Sequence, residues 1–210
     1  MAGVKAFDQA SGRYEAWFRR NRNAYQAEVR AVKELMASVG RAVEVGVGSG
    51  RFAAPLGVRF GVDPSTAMLK IARHRGIEVV QGVGEALPFP DACFDVALMV
   101  TTVCFLDDIH RALREARRIL RREGRIVVGF VDRASPLGRI YLRRREEGVF
   151  YRAAQFYTVE EIVRSLHKAG FHRFRFRQTL FAPLVETDRL EPVRNGYGDG
   201  SFTVVRATCR

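Results

Sequence analysis

The stretch AVEVGVGSG, residues 42–50, decides how the rest of the chain folds. Its first four residues form a short apolar run around Glu44, which predicts a buried strand. Gly46, Gly48 and Gly50 then predict a tight turn, because glycine adopts backbone conformations that other residues avoid. Such a turn lets the backbone approach a ligand closely, and the helix after it offers unpaired N–H groups. We therefore expect a strand, a ligand-binding loop and a helix, in that order.

A carboxylate follows at the end of the next strand-like run, residues 58–62. Asp63 stands where it can accept hydrogen bonds from both ribose hydroxyls of a nucleoside that lies across the strand ends. The alternative is a plain strand-to-helix turn with an aspartate that caps a helix. The glycine loop and Asp63 together favour nucleoside binding, and Ser65 is predicted to cap the following helix.

Three other glycine-containing motifs do not match this stretch. A dinucleotide-binding fingerprint beginning at Gly46 needs glycine where Arg51 stands, and the Gly-Lys-Ser/Thr of a P-loop is absent. Ser49 is not centred in the G-x-S-x-G pattern of a nucleophile elbow. A nicotinamide oxidoreductase is therefore the weakest of the functions considered.

Strands alternate with helices along most of the chain, which predicts a mostly parallel sheet covered by helices on both faces. The predicted strands cover residues 42–45, 58–62, 77–80, 94–100, 125–131, 171–181 and 201–208. Helices are predicted to end near Gly40, to begin after Ser65, to span 108–122 and 136–147, and to begin at Thr158. The last two strands have no full helix between them, which predicts an antiparallel end to a single α/β domain.

Composition indicates a folded protein: of the 210 residues, 47% are hydrophobic, and the formal net charge is +12. The longest apolar stretch, residues 96–106, falls short of the about 20 residues that a membrane span needs. The first residues lack the apolar core of a signal peptide. Cys93, Cys104 and Cys209 form no C-x-x-C pair, so we expect a reducing, cytoplasmic location and no metal site.

Positive charge is concentrated in residues 111–145, which contain twelve arginines and only three acidic residues. The arginines of 111–122 are expected to form a solvated helix face. Four more follow the fifth strand, where they could meet an acidic substrate or RNA phosphates, or reflect only composition bias. These are Arg139, Arg143, Arg144 and Arg145.

Five segments together resemble the class I S-adenosylmethionine-dependent methyltransferases, in the branch that includes the ubiquinone and menaquinone biosynthesis methyltransferases. They are AVEVGVGSGRF (42–52), FGVDPSTAMLKIAR (60–73), GEALPFPDACFDVALM (84–99), ALREARRILRREGRIVVG (112–129) and QFYTVEEIVRSLHKAGF (155–171). The resemblance implies a Rossmann-like sheet of seven strands in the order 3-2-1-4-5-7-6, with strand seven antiparallel. It also implies a helical lid at 1–40, a cofactor-binding core at 41–131, an arginine-rich insertion at 132–157 and a C-terminal helix and two strands at 158–210.

The same resemblance implies a site for S-adenosylmethionine, with S-adenosylhomocysteine as its product. For the methionine part of the cofactor, the implied residues are Glu44, which would organise the glycine loop, the backbone of Gly46, Val47 and Gly48, and Val100 and Thr101, which would face the methionine amino group. For the nucleoside part, Asp63 would hold the ribose, and Pro64 and Met68 would lie against adenine. Val83, Gly84 and Glu85 would line the edge of the adenine. The chain departs from the family at Val83, where aspartate is usual, and in the short segment 51–57 after the loop.

Methyl transfer needs mainly a dry pocket that holds the acceptor at the methyl group, so a dedicated nucleophile is unnecessary. No catalytic residue is assigned, and the weak candidates for a general base are Asp107, His110 and Asp132. Helix capping is the favoured interpretation of Asp107 and its neighbour Asp108. Aromatic side chains are available to close the pocket, with plain packing as the alternative for each: Tyr14, Trp17, Phe18, Tyr141, Phe150, Tyr151, Phe156 and Tyr157.

The leading hypothesis is methyl transfer to a small molecule. One alternative is an RNA or protein methyltransferase that uses the basic face, although no separate RNA-binding motif is present. Another is a non-catalytic nucleoside-binding or regulatory module on the same fold.

Overall fold

One eight-stranded sheet organises the computed structural model of the chain, which describes residues 2–36, 40–184 and 189–210. The strands are β1 (Ala42–Val45), β2 (Phe60–Asp63), β3 (Glu78–Gln81), β4 (Phe94–Val100), β5 (Leu120–Val131), β6 (Phe171–Thr179), β7 (Arg194–Asn195) and β8 (Phe202–Cys209). Their order across the sheet is β3-β2-β1-β4-β5-β8-β6-β7.

The sheet is parallel from β3 to β5 and antiparallel at its other end, where β8 runs opposite to both β5 and β6. This confirms the predicted Rossmann-like order, with β8 as the antiparallel seventh strand of the prediction. The two-residue β7 beside β6 is an addition that the sequence did not predict. Because β1 and β4 are neighbours with crossovers leaving in opposite directions, the crevice between their carboxyl ends is the natural ligand position.

Eight α-helices surround the sheet in the described residues: α1 (Ala2–Gln9), α2 (Ser11–Arg20), α3 (Arg22–Met36), α4 (Ala53–Leu56), α5 (Thr66–His74), α6 (Ile109–Ile119), α7 (Pro136–Arg143) and α8 (Val159–Lys168). Short 3-10 turns cover Val103–Phe105, Arg145–Glu147 and Tyr151–Ala153. As predicted, the Ser65 side chain caps α5 by accepting the N–H of Met68. The helix expected to end near Gly40 is α3, and residues 37–39 lie outside the described part.

The boundary between α6 and β5 differs from the prediction of a helix through 122 and a strand from 125. The helix ends at Ile119 and the strand begins at Leu120, which pairs with Phe94. The register shifts before Val96, and Glu123 adopts a positive φ of 59°. Buried pairing of Leu120 therefore overrides the helical propensity of the arginines that follow it.

Apolar side chains pack on both faces of the sheet. One cluster joins β4 and β5 to α3 through Leu35, Leu98 and Val127, and the other joins β4 to α6 and α8 through Met99, Leu113 and Leu166. Helix α3 therefore lies on the same side as the N-terminal helices, and its buried face points at the sheet. Among the described residues, no helix combines the length and apolar character required for a membrane span.

Candidate functional site

The glycine loop after β1 is built from left-handed backbone. Gly46, Gly48 and Gly50 have φ values of 72°, 51° and 81°. A Cβ atom at Gly46 would stand 2.3 Å from the side chain of Thr102, so a larger residue does not fit there. The loop thus presents its backbone to the crevice at the carboxyl end of β1, as the sequence predicted.

Asp63 ties this loop to the end of β2. One carboxylate oxygen accepts the N–H of Gly48 at 2.8 Å, and the other accepts the N–H of Ser65 at 2.9 Å. Burial raises the pKa of Asp63 above its usual value, although both hydrogen bonds oppose that shift. Each oxygen keeps a further lone pair, so the carboxylate can accept additional hydrogen bonds from a ligand.

Ten of the twelve predicted cofactor residues line one cavity beside this loop. They are Gly46, Gly48, Asp63, Pro64, Met68, Val83, Gly84, Glu85, Val100 and Thr101. Val47 is instead buried in the core, and Glu44 lies beneath the loop with 1% of its surface exposed. Burial raises the pKa of Glu44 well above its usual value, and its Oε2 atom has no partner in the described part of the chain.

The N-terminal helices roof this cavity through Val4, Phe7 and Tyr14. Glu15 fastens the roof to the glycine loop, because its carboxylate accepts hydrogen bonds from Ser49 Oγ at 2.5 Å and from Arg75 Nη2 at 2.6 Å, and also from Arg51. Burial opposes ionisation of Glu15, but these hydrogen bonds outweigh it and lower its pKa to about 2. The half-buried side chains of Glu15, Arg51 and Arg75 thus link the N-terminal helices to the glycine loop.

A second cavity of about 300 Å³ adjoins the first and is mostly aromatic. The two share Phe7, Tyr14, Thr101 and Phe105 in their walls. Thr101, directly after β4, has a positive φ of 52°, a strained backbone of the kind that collects at functional sites. All eight aromatic residues proposed from the sequence to close the pocket line this second cavity: Tyr14, Trp17, Phe18, Tyr141, Phe150, Tyr151, Phe156 and Tyr157.

The three weak candidates for a general base are not brought together. Asp107 lines the first cavity, His110 is exposed on α6, and Asp132 is buried outside both cavities. Burial raises the pKa of Asp132, and its carboxylate accepts the N–H of Ala134 at 2.9 Å. The cap of α6 is Asp108, as the sequence predicted for this pair.

The arginines after β5 do not reach either cavity. Arg139, Arg143, Arg144 and Arg145 are all exposed, and none lines the two cavities. On α6, Arg118 instead forms ion pairs with Glu115 and Asp91. An acidic or RNA ligand bound by these four arginines would therefore not contact the candidate site through them.

Sequence reasoning missed Glu28, which lines the aromatic cavity from α3 with 4% of its surface exposed. A signal for it was present, because Glu28 interrupts the small apolar residues Ala24, Ala27 and Ala31 on the buried face of that helix. Phe7 and Phe105 were also missed, since neither belongs to a local pattern that distinguishes a cavity wall from ordinary core.

Residues 43–128 match the family model described as a methyltransferase domain. A solved structure from Thermotoga maritima, described as an S-adenosylmethionine-dependent methyltransferase and possible histamine N-methyltransferase, is 49% identical, with a TM-score of 0.97, over 99% of this chain and 100% of its own. An uncharacterized protein of Methanocaldococcus jannaschii is 38% identical over 97% of this chain and 98% of its own. A demethylmenaquinone methyltransferase of Thermotoga maritima is 31% identical over 62% of this chain and 54% of its own.

Proposed function

The chain belongs to the S-adenosylmethionine-dependent methyltransferases, and we propose that it transfers the methyl group to a small-molecule acceptor held in the aromatic cavity. The observation that carries this proposal is the contact between the two cavities. A cofactor on the glycine loop and an acceptor among the aromatic side chains would meet at the shared wall of Phe7, Tyr14, Thr101 and Phe105.

The residues of the first cavity fit the cofactor. Asp63 offers free lone pairs to ribose hydroxyls, and Pro64, Met68 and Val83 offer an apolar slot to adenine. Glu85 lines the same cavity, and its Oε1 atom accepts the N–H groups of Asp107 and Asp108. With Val83 in place of aspartate, the apolar slot would hold adenine mainly by contact.

When bound, S-adenosylmethionine would supply a methyl group on a positively charged sulfur, which a lone pair of the acceptor would take while the bonding pair of the carbon–sulfur bond stays on sulfur. The chain's contribution is to exclude water and orient the acceptor, which the aromatic walls and the roof of α1 and α2 provide. Aromatic faces also attract a positively charged sulfur. This mechanism requires no nucleophile from the protein.

Calorimetric titration tests the cofactor, and methyl transfer tests the reaction. We expect micromolar binding of S-adenosylhomocysteine and none of NADH. With methyl-labelled S-adenosylmethionine, label should pass to pooled small amines, phenols and thiols rather than to bulk tRNA, rRNA or protein. Transfer only to RNA or protein would favour the alternative that uses the basic face, whereas binding without transfer to any pool would favour a non-catalytic module.

A change in the lid should accompany cofactor binding. The first cavity holds about 120 Å³, which is less than the about 300 Å³ or more of pockets that take drug-sized ligands. We therefore expect α1 and α2 to shift when the cofactor enters. Trp17 on α2 is the only tryptophan of the chain, so its fluorescence should change on addition of S-adenosylhomocysteine.

Trp17→Phe provides the control for that measurement, because it should abolish the signal and leave calorimetric binding in place. A wild-type protein that binds S-adenosylhomocysteine by calorimetry without any change in emission would contradict movement of the lid.

A further inference from the structure

Among the described residues that line the aromatic cavity, one carboxyl group is deeply buried. Glu28 projects from the buried face of α3 and is 4% exposed, yet it lines the cavity together with Trp17, Tyr141 and Tyr151. Burial raises the pKa of Tyr141, and the nearby Tyr151 and Glu28 raise it further, so these groups are close. The carboxyl group therefore faces space that an acceptor would fill.

Glu28 has no hydrogen bond or ion pair with any residue that the structure describes, and burial alone raises its pKa to about 8. An unpaired carboxyl group costs free energy when it is buried. In Glu15 and Glu161, by contrast, the carboxylates are paired with arginines. No group in the described part of the chain therefore pairs with the carboxyl group of Glu28.

We propose that Glu28 anchors the protonated amino group of the acceptor, so that the acceptor is an amine with an apolar or aromatic body. Because an ammonium group has no lone pair, the methyl group would go to a different atom of the acceptor. An ammonium group would interact with this site in two ways. The carboxylate would accept a charge-assisted hydrogen bond from it, and the surrounding aromatic faces would attract it through cation–π interactions. The apolar walls match the rest of such a molecule. This inference rests on the proposed function, because it names the class of acceptor for the same cavity.

Other ionisable groups in the cavity do not supply the missing charge. They are Arg13, Arg20, Tyr14, Tyr141, Tyr151, Tyr157, Cys104 and Glu147. The two arginines and Glu147 are exposed at the rim, where water screens them. Burial raises the pKa values of the tyrosines and of Cys104, which keeps these groups neutral. The positive charge that pairs with Glu28 would therefore come from the ligand.

The experiment compares phenethylamine with phenethyl alcohol and hydrocinnamate, which have similar bodies but different head groups. Each is titrated by calorimetry into wild-type protein and Glu28→Gln, with and without S-adenosylhomocysteine. Wild type should bind the amine at least about tenfold more tightly than either analogue, and Glu28→Gln should lose that preference while its affinity for S-adenosylhomocysteine is unchanged. Glu34→Gln is the matched control, because Glu34 is exposed on the same helix.

Proton release gives a second readout that a purely structural role would not produce. Since burial raises the pKa of Glu28 to about 8, its carboxyl group is mostly protonated at neutral pH before a ligand binds. Titration in two buffers of different ionisation enthalpy should then show release of about one proton per amine bound. The alcohol should release none, and neither should the amine with Glu28→Gln.

The outcomes separate the two proposals. Equal binding of amine and alcohol to a wild type that binds S-adenosylhomocysteine overturns the amine site and leaves the methyltransferase function in place. A Glu28-dependent preference for the amine without any binding of S-adenosylhomocysteine overturns the proposed function and leaves the amine site. If Glu28→Gln does not fold, the wild-type comparison and its proton release decide alone.

Discussion

Replacing Asp63 with alanine should weaken binding of S-adenosylhomocysteine by about 100-fold or more. The change removes the carboxylate proposed to hold the ribose, and hydrogen bonds to a charged group contribute about 1.5–3 kcal/mol each. It also removes the acceptor for the N–H of Gly48, so the glycine loop loses its link to the end of β2. Calorimetry on the purified variant measures the loss directly.

Two variants control this prediction. Asp63→Asn keeps one oxygen acceptor, so its loss should be smaller than that of alanine. Asp91→Ala removes an exposed aspartate that pairs with Arg118 and does not line the cavity, and its affinity should match wild type. Equal binding by wild type and by a folded Asp63→Ala protein would rule out the ribose role of this residue.

Glu28 should make the protein less stable as the pH rises. Burial raises its pKa from 4.5 to about 8, so between these values the folded state keeps a proton that the unfolded state has lost. The free energy of unfolding therefore falls with rising pH across this window, and the full cost is present above pH 8. At 1.36 kcal/mol per unit of pKa shift, the loss is about 3–5 kcal/mol.

Urea unfolding of wild type and Glu28→Gln at several pH values isolates this effect from other titrating groups. The glutamine variant has no group to ionise at this position, so it should gain stability relative to wild type as pH rises. Tyr14, Tyr141 and Tyr151, which feel the charge of Glu28, remain neutral in this range because burial raises their pKa values. Glu34→Gln removes an ion pair with Arg177, so its stability is offset from wild type, but its profile should have the wild-type slope between pH 5 and 8. Parallel profiles for all three proteins would refute an elevated pKa of Glu28.

The sequence by itself determined the sheet and the cofactor-side cavity because their signals are local. Glycines at one strand end and an aspartate at the next indicate a tight turn and a ligand-binding strand end, and both depend on the backbone conformation of only a few residues. Parallel strands bring those ends to one edge, and ten of the residues that the family resemblance implied for the cofactor line one cavity there. The strand order was implied by the resemblance to the methyltransferase family, and the sheet of the structure confirms it.

The start of β5, the exposure of Arg139, the burial of Glu28 and the aromatic cavity were decided only by the tertiary structure. The position of Leu120 in β5 rather than in α6 depends on pairing with Phe94, a contact that helical propensity does not contain. The exposure of Arg139 and the burial of Glu28 depend on how α7 and α3 pack, and residues distant in sequence form the aromatic cavity. Local patterns fix backbone conformation, whereas burial and charge pairing depend on neighbours that folding brings together.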